Sequence, residues 1–196
     1  MKAITVKQPW ASLIVEGIKD IENRTWKTNF RGRVLVHAGM AKTSGLMARY
    51  LSYDQHIEFR KKVGYSGLDF LEPLGCIIGS VEIVDCVINH PSILAEKTIN
   101  KTYWKDGKNY IEKVKPIYNW VLSNPIKFKK PISAKGKLSF WESEINLCHI
   151  CGQPAEYICC DCDKYFCDDC GATYNQFTQI DYDCCKACEQ NINSKI

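Results

Sequence analysis

Ten of the 12 cysteines of this 196-residue chain lie between Cys148 and Cys188, in "CHICGQPAEYICCDCDKYFCDDCGATYNQFTQIDYDCCKAC". Nothing else in the sequence limits the fold so tightly. The segment is too poor in aliphatic residues for a core of its own, so cross-links must hold it. The N-terminus, "MKAITVKQPW", lacks the apolar stretch of a secretory signal. In an expected intracellular, cytoplasmic protein, thiols this dense read as metal ligands and not as disulfides. Four Cys-x2-Cys pairs can be drawn, Cys148/Cys151, Cys159/Cys162, Cys167/Cys170 and Cys185/Cys188, separated by seven, four and 14 residues. Each pair presents two thiolates from one turn, and tetrahedral Zn²⁺ takes four. Eight ligands therefore imply two structural zinc ions, whose binding would supply the segment's folding free energy. Cys160 and Cys184 are spare. Cys184 can exchange with Cys185, and His149 can displace a cysteine. The spacing leaves open whether neighbouring or alternate pairs share an ion. Cys76 and Cys86 read as small buried hydrophobes of strands.

Charge divides at the same boundary. From Cys148 onward there are three Lys/Arg against eight Asp/Glu. Before it there are 23 against 14, so the net +4 hides a basic body and an acidic tail. A basic body favours polyanions through counterion release. No apolar run approaches the roughly 20 residues of a bilayer span, so no membrane association is expected.

Along the body, "KAITVKQ" alternates as a strand ending at Pro9, and "PWASLIVEG" reads as a short helix stopped by Gly17. "RGRVLVHAG" is a turn entering a buried strand, and residues 42–62 are expected to be helical. "LGCIIGSVEIVDCVIN" is β-rich, with Gly79 marking a bulge or a close backbone approach. Residues 90–115 read as an irregular inserted loop. "YNWVLSN", "IKFKKPI" and "GKLSFWE" read as three separate short strands. The expected class is α+β, a small mixed β-barrel with helices packed outside it, followed by a small zinc-stabilised domain. The domain limits expected are 1–144 and 145–190, with a tail at 191–196.

The stretch "GIKDIENRTW" concentrates polar side chains between apolar runs. Glu22, Arg24 and Trp26 fall two apart, so an extended segment would line them up on one face and turn Thr25 away. Lys19 lies just before them and Trp10 at the helix start, with Arg31, Arg33 and His37 following. The strand alternation leaves the facing of Arg33 and His37 open. Carboxylate, cations and aromatic planes together can bond a base edge, hold a phosphate and stack a ring.

These residues also carry a family resemblance. "QPWASL", the Gly-x-Lys-x-x-Glu-x-Arg-x-Trp core and "RGRVLVHA" resemble the ASCH (activating signal cointegrator homology) domain of the PUA-like superfamily. "LGCIIGSVEIVDCV" and "YNWVLSNPIKFKKPISAKGKLSFWE" continue the likeness across residues 1–144. The resemblance implies a β-barrel with a cleft for RNA or a nucleotide-like ligand. Carried over, its lining is Gln8, Trp10, Lys19, Glu22, Arg24 and Trp26, with Arg31, Arg33 and His37 as further candidates. Some ASCH relatives are amidohydrolases acting on N4-acetylcytidine compounds through a lysine, a threonine three residues later and a distant glutamate. Lys19 matches the lysine, Glu22 stands at the threonine position, and Glu82 is the candidate distant glutamate. Such an enzyme would rely on activation of water by Glu22. Another subset of relatives is associated with ribonuclease activity, for which no acid–base pair is evident here.

The cysteine spacing resembles cross-brace zinc fingers of HIT, B-box and FYVE style. That resemblance implies one zinc on Cys148, Cys151, Cys167 and Cys170 and a second on Cys159, Cys162, Cys185 and Cys188. The Cys-x-His step of RING ligases and the basic FYVE motif are both missing. The acidic tail is therefore read as a structural module that contacts a protein partner, and adaptor function through it is an alternative to the cleft.

Overall fold

The computed structural model describes residues 1–41, 53, 57, 61, 73–172 and 184–188. Its centre is a curled six-stranded sheet in the order β2-β7-β4-β3-β1-β8. The strands are β1 (Lys2–Val6), β2 (Ile21–Arg24), β3 (Gly32–Ala38) and β4 (Cys76–Val87). They continue, after a separate hairpin of β5 (Lys101–Lys105) and β6 (Lys108–Glu112), with β7 (Tyr118–Ser133) and β8 (Phe140–Glu142). β1 and β3 run parallel, and every other pairing in the sheet is antiparallel.

The helix α1 (Trp10–Val15) is short because its sequence ends it deliberately. Gly17 adopts φ +72°, its N–H donates to Ile14 O, and the N–H of Ile18 reaches back to Leu13 O. This pair of bonds is the Schellman arrangement, which needs a left-handed residue that glycine supplies without steric cost. The chain then doubles back and Lys19 N also donates to Leu13 O. The apolar side of α1, through Ala11, Ile14 and Val15, packs against Ile4, Val36, Val81 and the fully buried Trp120 on one sheet face. The opposite face carries Ala3, Leu35, Ile77 and Phe128, covered by Trp141, Ile145 and Leu147.

Several expectations change. Among the described residues the sheet is not closed into a barrel by hydrogen bonds, because β2 and β8 are its two edges. Side chains fill the seam instead: Trp26 meets Phe140 of β8 at 5.5 Å and Trp120 at 4.6 Å, both edge-on. The fold is mostly β, with α1 as the helix packed on the sheet. The helix expected over 42–62 lies outside the described residues apart from positions 53, 57 and 61, and the tail at 191–196 also lies outside them. "YNWVLSN" and "IKFKKPI" form one strand, β7. Its ladder with β4 absorbs Asn124 (φ 49°) and Pro125 through register shifts. Within residues 90–115 the structure forms the β5–β6 hairpin in place of an irregular loop.

Gly79 meets its expectation. A Cβ there would lie 2.3 Å from Ile126 O and 2.7 Å from Val15 Cγ1, so strand and helix close on bare backbone. Gly79→Ala should lower stability by about 1–3 kcal/mol, the usual cost of overpacking. A shift of the urea midpoint to lower concentration at unchanged slope would show it.

Candidate functional site

The Schellman turn aims Lys19 inward, where it is 5% exposed. Its Nζ donates to Glu22 Oε2 at 2.8 Å and to Ile21 O, and lies 5.7 Å from the Trp10 ring centroid. Glu22 is itself buried, and its other oxygen faces Arg24 Nε at 3.1 Å. Arg24 Nε is out of line for a hydrogen bond there and is buried without another partner among the described residues. Arg24 Nη2 donates to Thr5 O at 2.8 Å, and the guanidinium sits 5.7 Å from the Trp120 ring centroid. No described residue accepts from its Nη1.

Glu22 and Arg24 open onto a cavity of about 720 Å³, within the usual range for ligand sites. Thr5, Trp10, His37 and the segment Ala134–Ser139 complete much of its wall. His37 Nε2 donates to Ala134 O at 2.9 Å, which fixes the neutral tautomer with its proton on Nε2. Nδ1 is then a buried acceptor with no donor among the described residues, beneath the backbone of Gly136. Thr5 Oγ1 donates to Lys137 O at 2.9 Å and so ties the same segment down.

The structure thus brings Trp10, Lys19, Glu22, Arg24 and His37 together. It gives the other candidates different surroundings. Gln8 is buried and engaged by Ser12 and the carbonyl of Pro73. Trp26 packs into the aromatic seam, and Arg31 pairs with Asp85 at 2.8 Å on the exposed surface. Arg33 pairs with Glu82 at 2.8 Å and bonds Ser80 and the Asn124 carbonyl. Asn124 also donates to Glu82, and these contacts hold the Glu82 carboxyl below its ordinary value. Arg31, Arg33 and Glu82 are not among the cavity's lining residues. The segment Ala134–Ser139 is not among the expected site residues: Gly136–Ser139, expected to begin the strand "GKLSFWE", instead precede β8, and Gly136 lies against His37.

In the cysteine-rich segment, two tetrads converge: Cys148, Cys151, Cys167 and Cys170, and Cys159, Cys162, Cys185 and Cys188. Within each, the sulfurs lie within 4.8 Å of one another. Cys151 and Cys167 are 3.5 Å apart and Cys162 and Cys185 are 3.9 Å apart. Tetrahedral Zn–S bonds of about 2.3 Å require sulfur separations of about 3.8 Å. The tetrads are therefore positioned to hold metal ions, with alternate pairs sharing a site. Burial resists ionisation of Cys148, but the backbone N–H groups of Cys151, Ile150 and Cys167 bring its thiol to about 7. Burial is likewise outweighed at Cys159, where the N–H groups of Cys185, Asp161 and Cys162 bring the thiol to about 6. The bond to Cys162 and burial push Cys188 up to about 12, a crowding of thiols that a dication relieves. Of the spare residues, Cys160 is exposed, while Cys184 donates to Asp161 at 3.0 Å and joins an overlapping group with Cys159, Asp161 and Cys188. His149 Nε2 lies 3.3 Å from Cys185 Sγ. Cys86 is buried and Cys76 half-buried on β4.

A curled, mostly β domain with a cleft that carries buried charged side chains in its wall, joined to a segment with two cysteine tetrads positioned to hold metal ions, is the class these features define. No helix among the described residues is long and apolar enough to cross a membrane. The family model for the ASCH domain matches residues 4–132, and the chain belongs to that family. It is similar to Activating signal cointegrator 1 of Homo sapiens, 38% identical over 84 residues that cover 43% of this chain and 14% of that protein. The Mus musculus protein of the same name is 36% identical over 84 residues with the same coverage. The chain thus spans about a seventh of the length of these curated relatives.

His37 makes the domain pH-sensitive. Burial lowers its pKa from the ordinary 6.5, partly offset by the bond to Ala134. The unfolded chain therefore binds this proton at higher pH than the folded one. Stability falls as pH drops below about 6.5 until the lower folded value is passed. Between about pH 7 and about pH 5.5, urea titrations should show the wild type losing more stability than His37→Gln.

Proposed function

We propose that the ASCH cleft holds an unpaired nucleotide of RNA, or a nucleotide-like ligand, while the cysteine-rich module binds two structural zinc ions and contacts a protein partner. The Arg24 guanidinium carries this reading. It is braced by Glu22 and Thr5 O, yet it lines a cavity with Nη1 unpartnered among the described residues. A braced fork of N–H donors suits phosphate or a base carbonyl, and Trp10 on the same wall offers a ring to stack on. Isothermal titration with AMP, CMP, GMP and UMP tests the cleft directly. Arg24→Ala should weaken the best of them at least about tenfold, the low end for a hydrogen bond to a charged group. Affinity unchanged by this substitution would remove the cleft from the reading.

Hydrolysis of acetylated cytidine has no comparable observation behind it. Lys19 is committed to Glu22 and the Ile21 carbonyl, and Glu82 is committed to Arg33 and Asn124.

The interleaved thiol tetrads support the zinc assignment. With all four positions filled by protein sulfur, neither site offers an open position for catalysis. The acid excess of the module works against phosphate contact, which favours protein as its partner. Elemental analysis of the purified chain should give close to two zinc ions per molecule. Cys148→Ser should bring this close to one, leaving the second tetrad loaded. One ion in the wild type would overturn the eight-ligand assignment.

A further inference from the structure

The β5–β6 hairpin is a second surface, separate from the cleft. Its two strands form a sheet of their own, and all ten residues of the strands are exposed. A lone hairpin is marginal in water, so these residues are not there to build a core. Yet it carries Trp104 at 71% exposure and Ile111 at 66%, together with Tyr103 and Tyr110 stacked at 5.6 Å. The turn, Asp106 (φ 49°) and Gly107 (φ 74°), is of the tight type that locks register. It sets Lys105 directly opposite Lys108. Like charges in cross-strand pairs repel, and neither lysine has an ion-pair partner among the described residues. From Lys97 to Lys115 there are six lysines against two acids, Asp106 and Glu112.

We infer that this hairpin is a docking arm for single-stranded RNA. Unpaired bases stack on the bare plane of Trp104, and backbone phosphates sit between Lys105 and Lys108, relieving their repulsion. The surface charge selects a polyanion, and the exposed ring selects one with unpaired aromatic bases. Continuity with the cleft supports the same occupant. The hairpin leads through residues 113–117 into Tyr118, the residue paired opposite Arg24 across β2 and β7. A strand with one nucleotide in the cleft can continue onto the arm. That the polymer is RNA and not DNA rests on the proposed cleft function; the stacking and the charge pairing do not.

The test uses the full zinc-loaded chain and a fluorescent oligo(U) 20-mer read by anisotropy. Trp104→Ala should weaken binding at least about fivefold, the equivalent of one lost stacking contact. Lys105→Gln with Lys108→Gln should flatten the slope of log K against log salt by about 1.4, as two phosphate contacts predict for a single strand. Thermal melts should be unchanged, since these side chains bury nothing. Binding of a mononucleotide, which reads the cleft alone, should not respond to either variant.

Unaltered oligo(U) affinity and salt slope in both variants would overturn the arm, even if Arg24→Ala still weakens mononucleotide binding. The converse pattern would keep the arm and remove the cleft. Equal affinity for an RNA duplex would overturn the stacking role. Preference for oligo(dT) would overturn RNA as the polymer. Trp104-dependent binding to vesicles containing phosphatidylserine, without RNA binding, would assign the arm to a membrane surface instead and overturn the proposal.

Discussion

A carboxylate inside a protein is tolerated only when cations and hydrogen-bond donors replace its water, because the desolvation of a single ion costs several kcal/mol. Glu22 is such a carboxylate, and much of the domain is arranged around it. Lys19 can reach it only because the chain reverses at Gly17. Arg24 reaches it with its guanidinium over Trp120, and from there its Nη2 extends to the carbonyl of Thr5. β2 is one edge of the sheet, whereas β1 lies near the other edge. The Arg24–Thr5 bond therefore spans the open side of the half-barrel, which backbone pairing leaves unjoined. The aromatic seam of Trp26, Trp120 and Phe140 spans the same opening. Of these two crossings, the Arg24–Thr5 bond also lies on the cavity wall, so the same polar cluster ties the two sides of the opening together and faces the cavity.

Legibility in the sequence followed the range of the interaction. Local signals read well: α1 began and ended where Pro9 and Gly17 indicated, and Gly79 lies where helix and strand close on each other. The cysteine spacing led to the same eight residues that converge in space, because a Cys-x2-Cys turn is a local geometry. Alternate pairing needed the resemblance to cross-brace fingers, since knuckle spacing alone does not specify which turns meet. Facing was less legible. Trp26 alternates correctly with Glu22 and Arg24 but lies just beyond β2, where the chain leaves the strand and the ring enters the seam. Arg33 and Glu82 are partners across β3 and β4, a non-local pairing that no single segment reveals. The "KDGKNY" hairpin was legible in principle from Asp106-Gly107 flanked by aromatic residues. Its high polarity disguised it as a loop, because polarity is normal for a hairpin that covers nothing.

The two sheet faces are filled by different parts of the chain. α1 and the aromatic seam cover one face. The other is covered by Trp141, Ile145 and Leu147, from β8 and the connection into the cysteine-rich segment. The limit expected near residue 144 falls within that connection, between Trp141 and Leu147, which pack in the same cluster. The cysteine-rich segment is thus joined to the sheet by apolar contact, with Cys148 following directly on Leu147.

The ladder between β4 and β7 shows why that junction matters. Gly79 pairs with Lys127 and Ile77 with Ile132, so β7 carries three more residues than β4 over this interval. Backbone groups in such a bulge lose their strand partners and must find others. Gln153 supplies them: its Nε2 donates to Lys127 O and its Oε1 accepts from Lys129 N, both at 2.9 Å. Gln153 sits two residues beyond Cys151, and its own carbonyl accepts from Cys148 N, closing the first thiol turn. The loop that shapes one cysteine tetrad is therefore the same loop that completes the bulge of β7. Five residues beyond Lys129, Ala134 accepts from His37 and begins the segment that covers the cavity. The Gln153 contacts thus attach the loop of the first tetrad to β7, the strand that runs on into the Ala134–Ser139 wall of the cavity, so the cysteine-rich segment is held to the sheet by hydrogen bonds as well as by apolar contact.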